Sequence, residues 1–502
     1  MKSLLTFFFG LLLLAGCDRA SEPESSRTFE LIAPEHSKVT FANNLKYNER
    51  LNTYTYRNFY NGAGVALGDI NNDGLLDIYF TGNLVDNKLY LNKGDFRFED
   101  ITQKAGVDCK GVWSTGVSMA DVNGDGWIDI FVCKSGPPLG GNRKNELFIN
   151  NGDLTFTESA EAWGVADEGL SIHTAFFDFD KDGDLDFYLL NNSNRSVGIY
   201  DLHKGQREVR DPFGGNRLYR NDGNRFTDVS AQAGIFGSAI GFGLGVTVGD
   251  VNRDGWQDIF VSNDFFERDY LYINQKNGTF EERLEHCMTE ISMGSMGADI
   301  ADINNDGYAE IYVTEMLPES LERIKTKTIF EDWNKYTENV RSGYHHQFTR
   351  NVLQLNNGPM PGGGDSVFFS EIARFAGVHA TDWSWGALIF DYDNDGFKDL
   401  FVANGIGKDL TDQDYINFYA NATLTSSNLR KDRLLLTRLI DKIPSTPLTN
   451  YLFRNEGTLR FTNTATVAGL DQPGFSNGAA YGDLNNDGAL DLVVNNINAT
   501  AS

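Results

Sequence analysis

The chain of 502 residues carries 70 Asp and Glu against 43 Lys and Arg, a formal net charge of −27. That balance repels phosphate backbones and speaks against nucleic-acid binding, while 41% hydrophobic and 13% aromatic residues exclude an acidic disordered chain. With 52 glycines and only 11 prolines, tight turns are expected rather than long extended linkers.

The first residues read as an export signal. Lys2 supplies positive charge, residues 4–14 an apolar run too short to span a bilayer, and Leu14-Ala15-Gly16-Cys17 a cleavage region. The run resembles a bacterial lipobox. The alternative is an ordinary secretory signal with an incidental cysteine. The expected organisation is a lipoprotein signal peptide over 1–16, lipidation at Cys17, a polar tether over 17–27, and one folded region over 28–502. The mature chain would touch the membrane through its lipid only, at the outer membrane, on the cell surface or the periplasmic face.

One pattern then recurs seven times, Asp-x-(Asn or Asp)-x-Asp-Gly-x-x-(Asp or Glu). The candidate metal ligands are Asp69, Asn71, Asp73 and Asp77, then Asp121, Asn123, Asp125 and Asp129. They continue with Asp178, Asp180, Asp182 and Asp186, then Asp250, Asn252, Asp254 and Asp258. The last three sets are Asp302, Asn304, Asp306 and Glu310; Asp391, Asp393, Asp395 and Asp399; and Asp483, Asn485, Asp487 and Asp491. Oxygen donors at alternate positions around a glycine turn suit a hard cation of calcium's size. Solvated Asx-turns would explain one copy. Seven copies crowd carboxylates whose repulsion is about 4 kcal/mol per pair at 4 Å and an effective dielectric near 20, so up to seven calcium ions are expected.

An EF-hand is excluded because the twelfth loop positions, Phe80, Val132, Leu189, Val261, Val313, Val402 and Val494, are all apolar. Strand-like runs flank each loop, as in Gly64-Val-Ala-Leu-Gly68 before the first and Ile78-Tyr-Phe80 after it. A further strand signature follows at Lys88-Leu-Tyr-Leu-Asn92, Glu146-Leu-Phe-Ile-Asn150, Arg217-Leu-Tyr-Arg-Asn221, Tyr270-Leu-Tyr-Ile-Asn274 and Tyr451-Leu-Phe-Arg-Asn455. A phenylalanine strand usually closes the unit. The reading is an all-β, seven-bladed β-propeller of four-stranded blades, with calcium between the first and second strands.

Two segments interrupt the repeats, about 315–350 and 405–450, and both are expected to be helical insertions across one propeller face. In the first, a helix is expected after Pro318; in the second, Pro444 should stop one. The seventh unit reaches Ser502 without a Leu-Tyr-x-Asn strand, which suggests a truncated last blade completed by an N-terminal strand near residues 28–41. Cys109, Cys133 and Cys287 remain after Cys17, and spacing leaves a Cys109–Cys133 bridge and free buried thiols equally open.

These motifs resemble the FG-GAP/VCBS repeats of integrin-α-like propellers. Tyr60-Asn-Gly-Ala-Gly-Val-Ala-Leu-Gly-Asp69, Glu315-Met-Leu-Pro318 and Thr381-Asp-Trp-Ser-Trp-Gly386 are more similar to the ASPIC/UnbV, cartilage-acidic-protein-like group. The resemblance implies seven blades, calcium in the first loops and an extracytoplasmic protein, and hints at carbohydrate. It implies no defined activity.

No catalytic set stands out. Gly474-Phe-Ser476-Asn-Gly478 fits a nucleophile elbow, but a strand follows where a helix is needed. His345-His346 and His379 lack metal-ligand spacing, and Trp383 and Trp385 are expected to pack between blades rather than form a sugar platform. The function expected is a calcium-stabilised binding or scaffold lipoprotein for a glycan or surface protein, with recognition in the insertions. The alternative is a calcium-dependent polysaccharide lyase or hydrolase.

Overall fold

The computed structural model describes residues 27–136, 141–193, 205–328, 332–359, 367–420 and 433–502. The expected signal peptide, Cys17 and all but the last residue of the tether lie outside them.

The chain is an all-β propeller. Each blade is a meander of antiparallel neighbours, beginning with Val65–Gly68, Asp77–Phe80, Lys88–Asn92 and Phe98–Asp100 in blade one. Blades two to six start at Trp113–Ala120, Leu170–Phe177, Gly243–Gly249, Ala298–Ala301 and Ser384–Phe390. Second strands such as Asp77–Phe80 and Asp258–Asn263 are buried along their whole length. Neighbouring blades cover both faces, which is why these strands read as continuous apolar runs rather than as an alternation.

The core is a circle of apolar layers between blades. Val117, Ile130 and Val132 face Tyr79 and Leu89 between blades one and two, and Val251 and Phe260 face Ile311 and Val313 between four and five. Near the axis the inner strands approach so closely that glycine is required. A Cβ on Gly116 would lie 2.4 Å from the Ile172 carbonyl oxygen, and one on Gly297 2.2 Å from that of Trp385.

The expectation of seven four-stranded blades is corrected. Six sheets are four-stranded, and the seventh sector holds a two-stranded sheet, Ser476–Gly482 with Asp491–Asn496. Outside it, Ser502 exchanges two backbone hydrogen bonds with Val494, and the Ala501 N–H donates to Phe41 O at 2.9 Å. These contacts are too short to form strands, yet they close the ring. Val39 and Phe41 share an apolar layer with Val65, Leu484 and Val493.

The first insertion contains α1 (Leu321–Lys327) and α2 (Trp333–Arg341). Helix α1 starts after Ser320, whose hydroxyl accepts from the Arg323 N–H, and not at Pro318. The second insertion contains α3 (Arg433–Lys442), and Pro444 follows it.

Candidate functional site

Six of the seven acidic loops share one set of turn hydrogen bonds, and the third keeps all but the bond from the fifth N–H to the first carboxylate. Asp69 accepts the N–H groups of Asp73 at 3.1 Å and Gly74 at 2.8 Å, while Asp73 accepts that of Leu75 at 3.0 Å. These bonds curl the backbone so that the first-, third- and fifth-position side chains converge. Gly74 has φ +86°, as the glycine requires, but the fourth position is also left-handed in every loop. There the residues are Asn72, Gly124, Lys181, Arg253, Asn305, Asn394 and Asn486.

The fourth position joins every loop but the second, where it is Gly124, to the next. Asn72 Nδ2 donates to Gly126 O at 2.9 Å, Asn305 Nδ2 to Gly396 O at 3.0 Å, and Asn486 Nδ2 to Gly74 O at 2.9 Å. Lys181 lies 4.5 Å from the centre of the Trp256 ring, and Arg253 4.7 Å from that of Tyr308, so cation–π contacts serve where asparagine is missing. All seven loops therefore lie at one end of the propeller.

The ninth-position carboxylate is a clasp. Asp77 accepts from the Ile70 N–H at 2.9 Å and from the Asn92 N–H at 2.7 Å, which ties loop, second strand and third strand together. Asn92 Nδ2 then bridges Leu76 O in its own blade and Leu484 O in the preceding sheet. Asn150, Asn221, Asn274 and Asn455 repeat this staple, and so does Asn356 in a third strand whose Leu-Gln-Leu-Asn sequence escapes the Leu-(Tyr or Phe)-x-Asn search. Burial pushes Asp77, Asp186, Asp258, Glu310 and Asp399 up to about 7 and Asp129 to about 6. Backbone donors oppose that rise, and nearby loop carboxylates add to it.

Among the described residues, carboxylate oxygens gather within 4.8 Å of one another at Asp178, Asp180 and Asp186, and at Asp391, Asp393 and Asp395. Asp178 Oδ1 and Asp180 Oδ1 are buried and have no hydrogen-bond partner in the protein. Hard oxygen donors that converge without protein partners fit a calcium ion.

The opposite end carries a cavity of about 700 Å³. Its walls are the turns that follow second strands and precede first strands, including Asp264, Glu315, Met296 and Trp383. The first insertion adds Tyr336, Asn339, His345 and Gln347, and the second adds Leu410, Tyr415 and Ile443. A third wall comes from the aromatic-rich segment 44–62, which the repeat pattern does not reveal. Tyr54 from that segment hydrogen-bonds Tyr415, and Arg57 lies 4.6 Å from the centre of the Phe265 ring. Gln347 Oε1, Asn339 Oδ1, Tyr60 Oη and Trp383 Nε1 are buried without a protein partner. Gly294 opens the floor: a Cβ there would sit 3.2 Å from Asp264 Oδ1 and 3.3 Å from Glu315 Oε1.

Buried charges lock the two insertions together. Arg323 of α1 pairs with Asp382 and, at 3.2 Å, with Asp409; Lys327 pairs with Asp412 and, at 3.6 Å, with Asp409.

Trp383 and Trp385 line the cavity, and Trp385 Nε1 donates to Gly405 O at 2.8 Å. His345 Nε2 lies 3.0 Å from Met288 O, and His346 Nδ1 2.6 Å from Tyr336 Oη. His379 Nδ1 is buried without a partner, and no metal-type cluster among the described residues includes a histidine. Ser476 donates from its first-strand position to Asn496 Oδ1 at 2.9 Å. Cys109, Cys133 and Cys287 are free and buried, which settles the open pairing.

Meandering sheets with an acidic loop in each first hairpin define a repeat β-propeller. The chain belongs to the FG-GAP-like repeat family, whose model matches residues 69–132, 136–189, 209–261, 250–313 and 441–494, more than half of the chain. It is 29% identical over 218 residues to cartilage acidic protein 1 of Xenopus tropicalis, covering 42% of this chain and 30% of that protein. For the Mus musculus protein the figures are 29% over 266 residues, 49% and 39%. The chain thus spans less than two-fifths of the length of these relatives. Human integrin alpha-6 is 42% identical over 89 residues, 15% of this chain and 8% of that one. A solved Agrocybe aegerita lectin, described as recognising non-reducing terminal N-acetylglucosamine, covers 87% of this chain and 86% of its own at 13% identity. Its TM-score is 0.41, too low to speak to function. No described helix is long and apolar enough to cross a membrane.

Proposed function

We propose that this protein is a calcium-stabilised binding protein that takes its ligand in the cavity at the insertion end. The observation that carries this reading is that cavity: three wall segments foreign to the repeat build it, and four buried polar atoms on it have no partner within the protein. A glycan matches the lining best. Its hydroxyls would donate to Asn339 and Gln347 and accept from Trp383, while aromatic rings take its C–H faces. A surface protein offering a chain end to the cavity is the other partner class.

Calcium would be held by the first-, third- and fifth-position oxygens of the loops, with the ninth carboxylate beneath them, at the roughly 10⁻⁴ to 10⁻³ M affinity of extracellular modules. The lipobox sequence supports an anchor at Cys17 in a bacterial outer membrane, with the propeller outside the cytoplasm. A Cys17→Ser variant that stays in the membrane fraction would refute that anchor.

The binding test is a glycan and protein array probed with the wild type and Trp383→Ala, in calcium and in chelator. A ligand kept by wild type in calcium and lost by the variant is expected. Equal binding by both places recognition elsewhere. The approach of Asp264 and Glu315 at Gly294 favours a second reading, a polysaccharide-active enzyme. Turnover of the bound glycan, abolished in Asp264→Asn, would select it.

A further inference from the structure

The seven loops are not equivalent. In five of them the third position is asparagine, and its Nδ2 donates to the fifth-position carboxylate, as from Asn71 to Asp73 at 3.0 Å. In the third and sixth loops it is Asp180 and Asp393, one more negative charge each. The third strands of those same two blades carry Arg220 and Arg454 immediately before the stapling asparagine. The other four blades have Leu91, Ile149, Ile273 and Leu355 there. The extra carboxylate and the extra cation occur together both times, and neither occurs alone.

The two arginines are placed differently. Arg454 Nε donates to Asp393 Oδ2 at 2.8 Å and Nη2 to Asp395 Oδ2 at 2.9 Å, so its guanidinium spans two of the carboxylates expected to hold metal. Arg220 turns away and donates to Asp222 at 2.9 Å. Asp180 Oδ1 of its loop has no partner, and neither has Asp178 Oδ1, which unlike Asp391 Oδ1 accepts no N–H from the fifth position. In blade six Glu456 stands where blade three has Asp222, so an outward seat for Arg454 exists. In the fourth loop Lys276 Nζ meets only one carboxylate oxygen, Asp254 Oδ2 at 3.2 Å, and spans nothing.

We infer that Arg454 is the sixth loop's own counter-cation, which neutralises Asp393 and Asp395 in place of a metal and which calcium must displace toward Glu456 in order to bind. The inference rests on the calcium reading of the loops. The sixth loop is then the weakest of the seven sites, and the third, with five aspartates and its arginine turned away, the tightest. A guanidinium fork on two carboxylates is a strong, directional pair, so its displacement opposes ion binding.

The test is calcium titration calorimetry on the chelator-stripped chain and on Arg454→Leu, Arg454→Lys and Arg220→Leu, with melting curves in chelator. In Arg454→Leu the weakest wild-type site should tighten by at least about tenfold, because four carboxylates then face the ion without a competitor. Arg454→Lys, which keeps the charge and loses the fork, should tighten it less, and Arg220→Leu should change it by less than about threefold. In chelator, Arg454→Leu should melt below wild type. An unchanged or weakened site in both Arg454 variants would overturn the proposal. If wild type binds no calcium, the calcium reading fails, and the chelator curves decide alone: a lower melting temperature for Arg454→Leu supports the counter-cation, and an equal one overturns it.

Discussion

The two ends of the propeller are built from opposite turns of the same hairpins, yet they are held together by different physics. At the loop end, seven near-copies crowd carboxylates that the protein itself only partly compensates, with backbone N–H groups, cation–π contacts and Arg454. At the insertion end, unrelated segments meet through paired buried charges and aromatic packing. Repetition gives the first end a ring of similar sites. Irregularity gives the second end a cavity lined by unlike segments. The acidic loops and the cavity can therefore be disturbed separately.

The largest separation should come from calcium removal. If calcium fills the loops as proposed, chelator should lower the melting temperature by more than about 10 °C, because ions that bind only the native state stabilise it. A scanning calorimetry trace unmoved by chelator would remove the distinction between the two ends.

Next in size is Arg323→Ala, which removes the guanidinium paired with buried Asp382 and leaves Asp409 with Lys327 alone as its cation. It should cost about 3–5 kcal/mol in chemical denaturation and leave calcium stoichiometry unchanged. A loss of bound calcium in that variant would show that the ends are coupled.

Asn150→Ala tests the loop end without touching a metal ligand. Its Nδ2 donates to Ile70 O at 2.8 Å and Ile128 O at 3.1 Å, across the junction of blades one and two. Removing both bonds should destabilise by about 2–3 kcal/mol and leave binding at the cavity intact.

The smallest effect sharpens the insertion end. Burial pushes Asp269 up to about 7, against donation from the Asn263 N–H, the Ser295 hydroxyl and the charge of Arg268, with Glu267 adding to the rise. A folded carboxyl that keeps its proton to a higher pH stabilises the protein fully below the unfolded value of 3.8. That contribution is lost as pH rises toward 7. Asp269→Asn should flatten this slope and gain about 1–2 kcal/mol at pH 8 relative to wild type, read from denaturant midpoints across pH.

Much of the loop end was legible in the sequence, because its signal is local and repeated: a glycine at one place, oxygens at alternate places, apolar strands on either side. The fourth loop position was not legible. Lys181 and Arg253 give no local hint of a left-handed backbone, and their reason lies in Trp256 and Tyr308 of the next blade. Asn356 was missed because Gln354 stands where its counterparts have an aromatic ring, although the staple needs only the asparagine. The insertion end was legible only as interruption. Nothing in the aromatic run from Tyr47 to Tyr60 says that it packs against residues near 410–443, since such pairing depends on the assembled ring. Trp383 and Trp385 pack against an apolar cluster with Tyr60, Trp113 and Ile406, and their place at the head of a first strand also sets them in the cavity wall, which the sequence does not reveal.

The contacts between residues 41–45 and 497–502 bear on how the molecule comes into being. The Leu45 N–H reaches Asn498 Oδ1 at 2.7 Å across 453 residues of chain. During synthesis from the N-terminus, blades one to six can each form from local hairpins as they emerge, but the first must wait with one apolar flank uncovered. That flank, Val65 and Ile78 with Val39 and Phe41 beside them, meets its partners Leu484 and Val493 only when the last sheet has left the ribosome. Closing so long a loop adds little entropic cost beyond a shorter one, because the cost grows only with the logarithm of length. The delay is what matters. Ring closure follows the formation of blades one to six, and the open arc that precedes it leaves apolar surface exposed to aggregation and proteolysis.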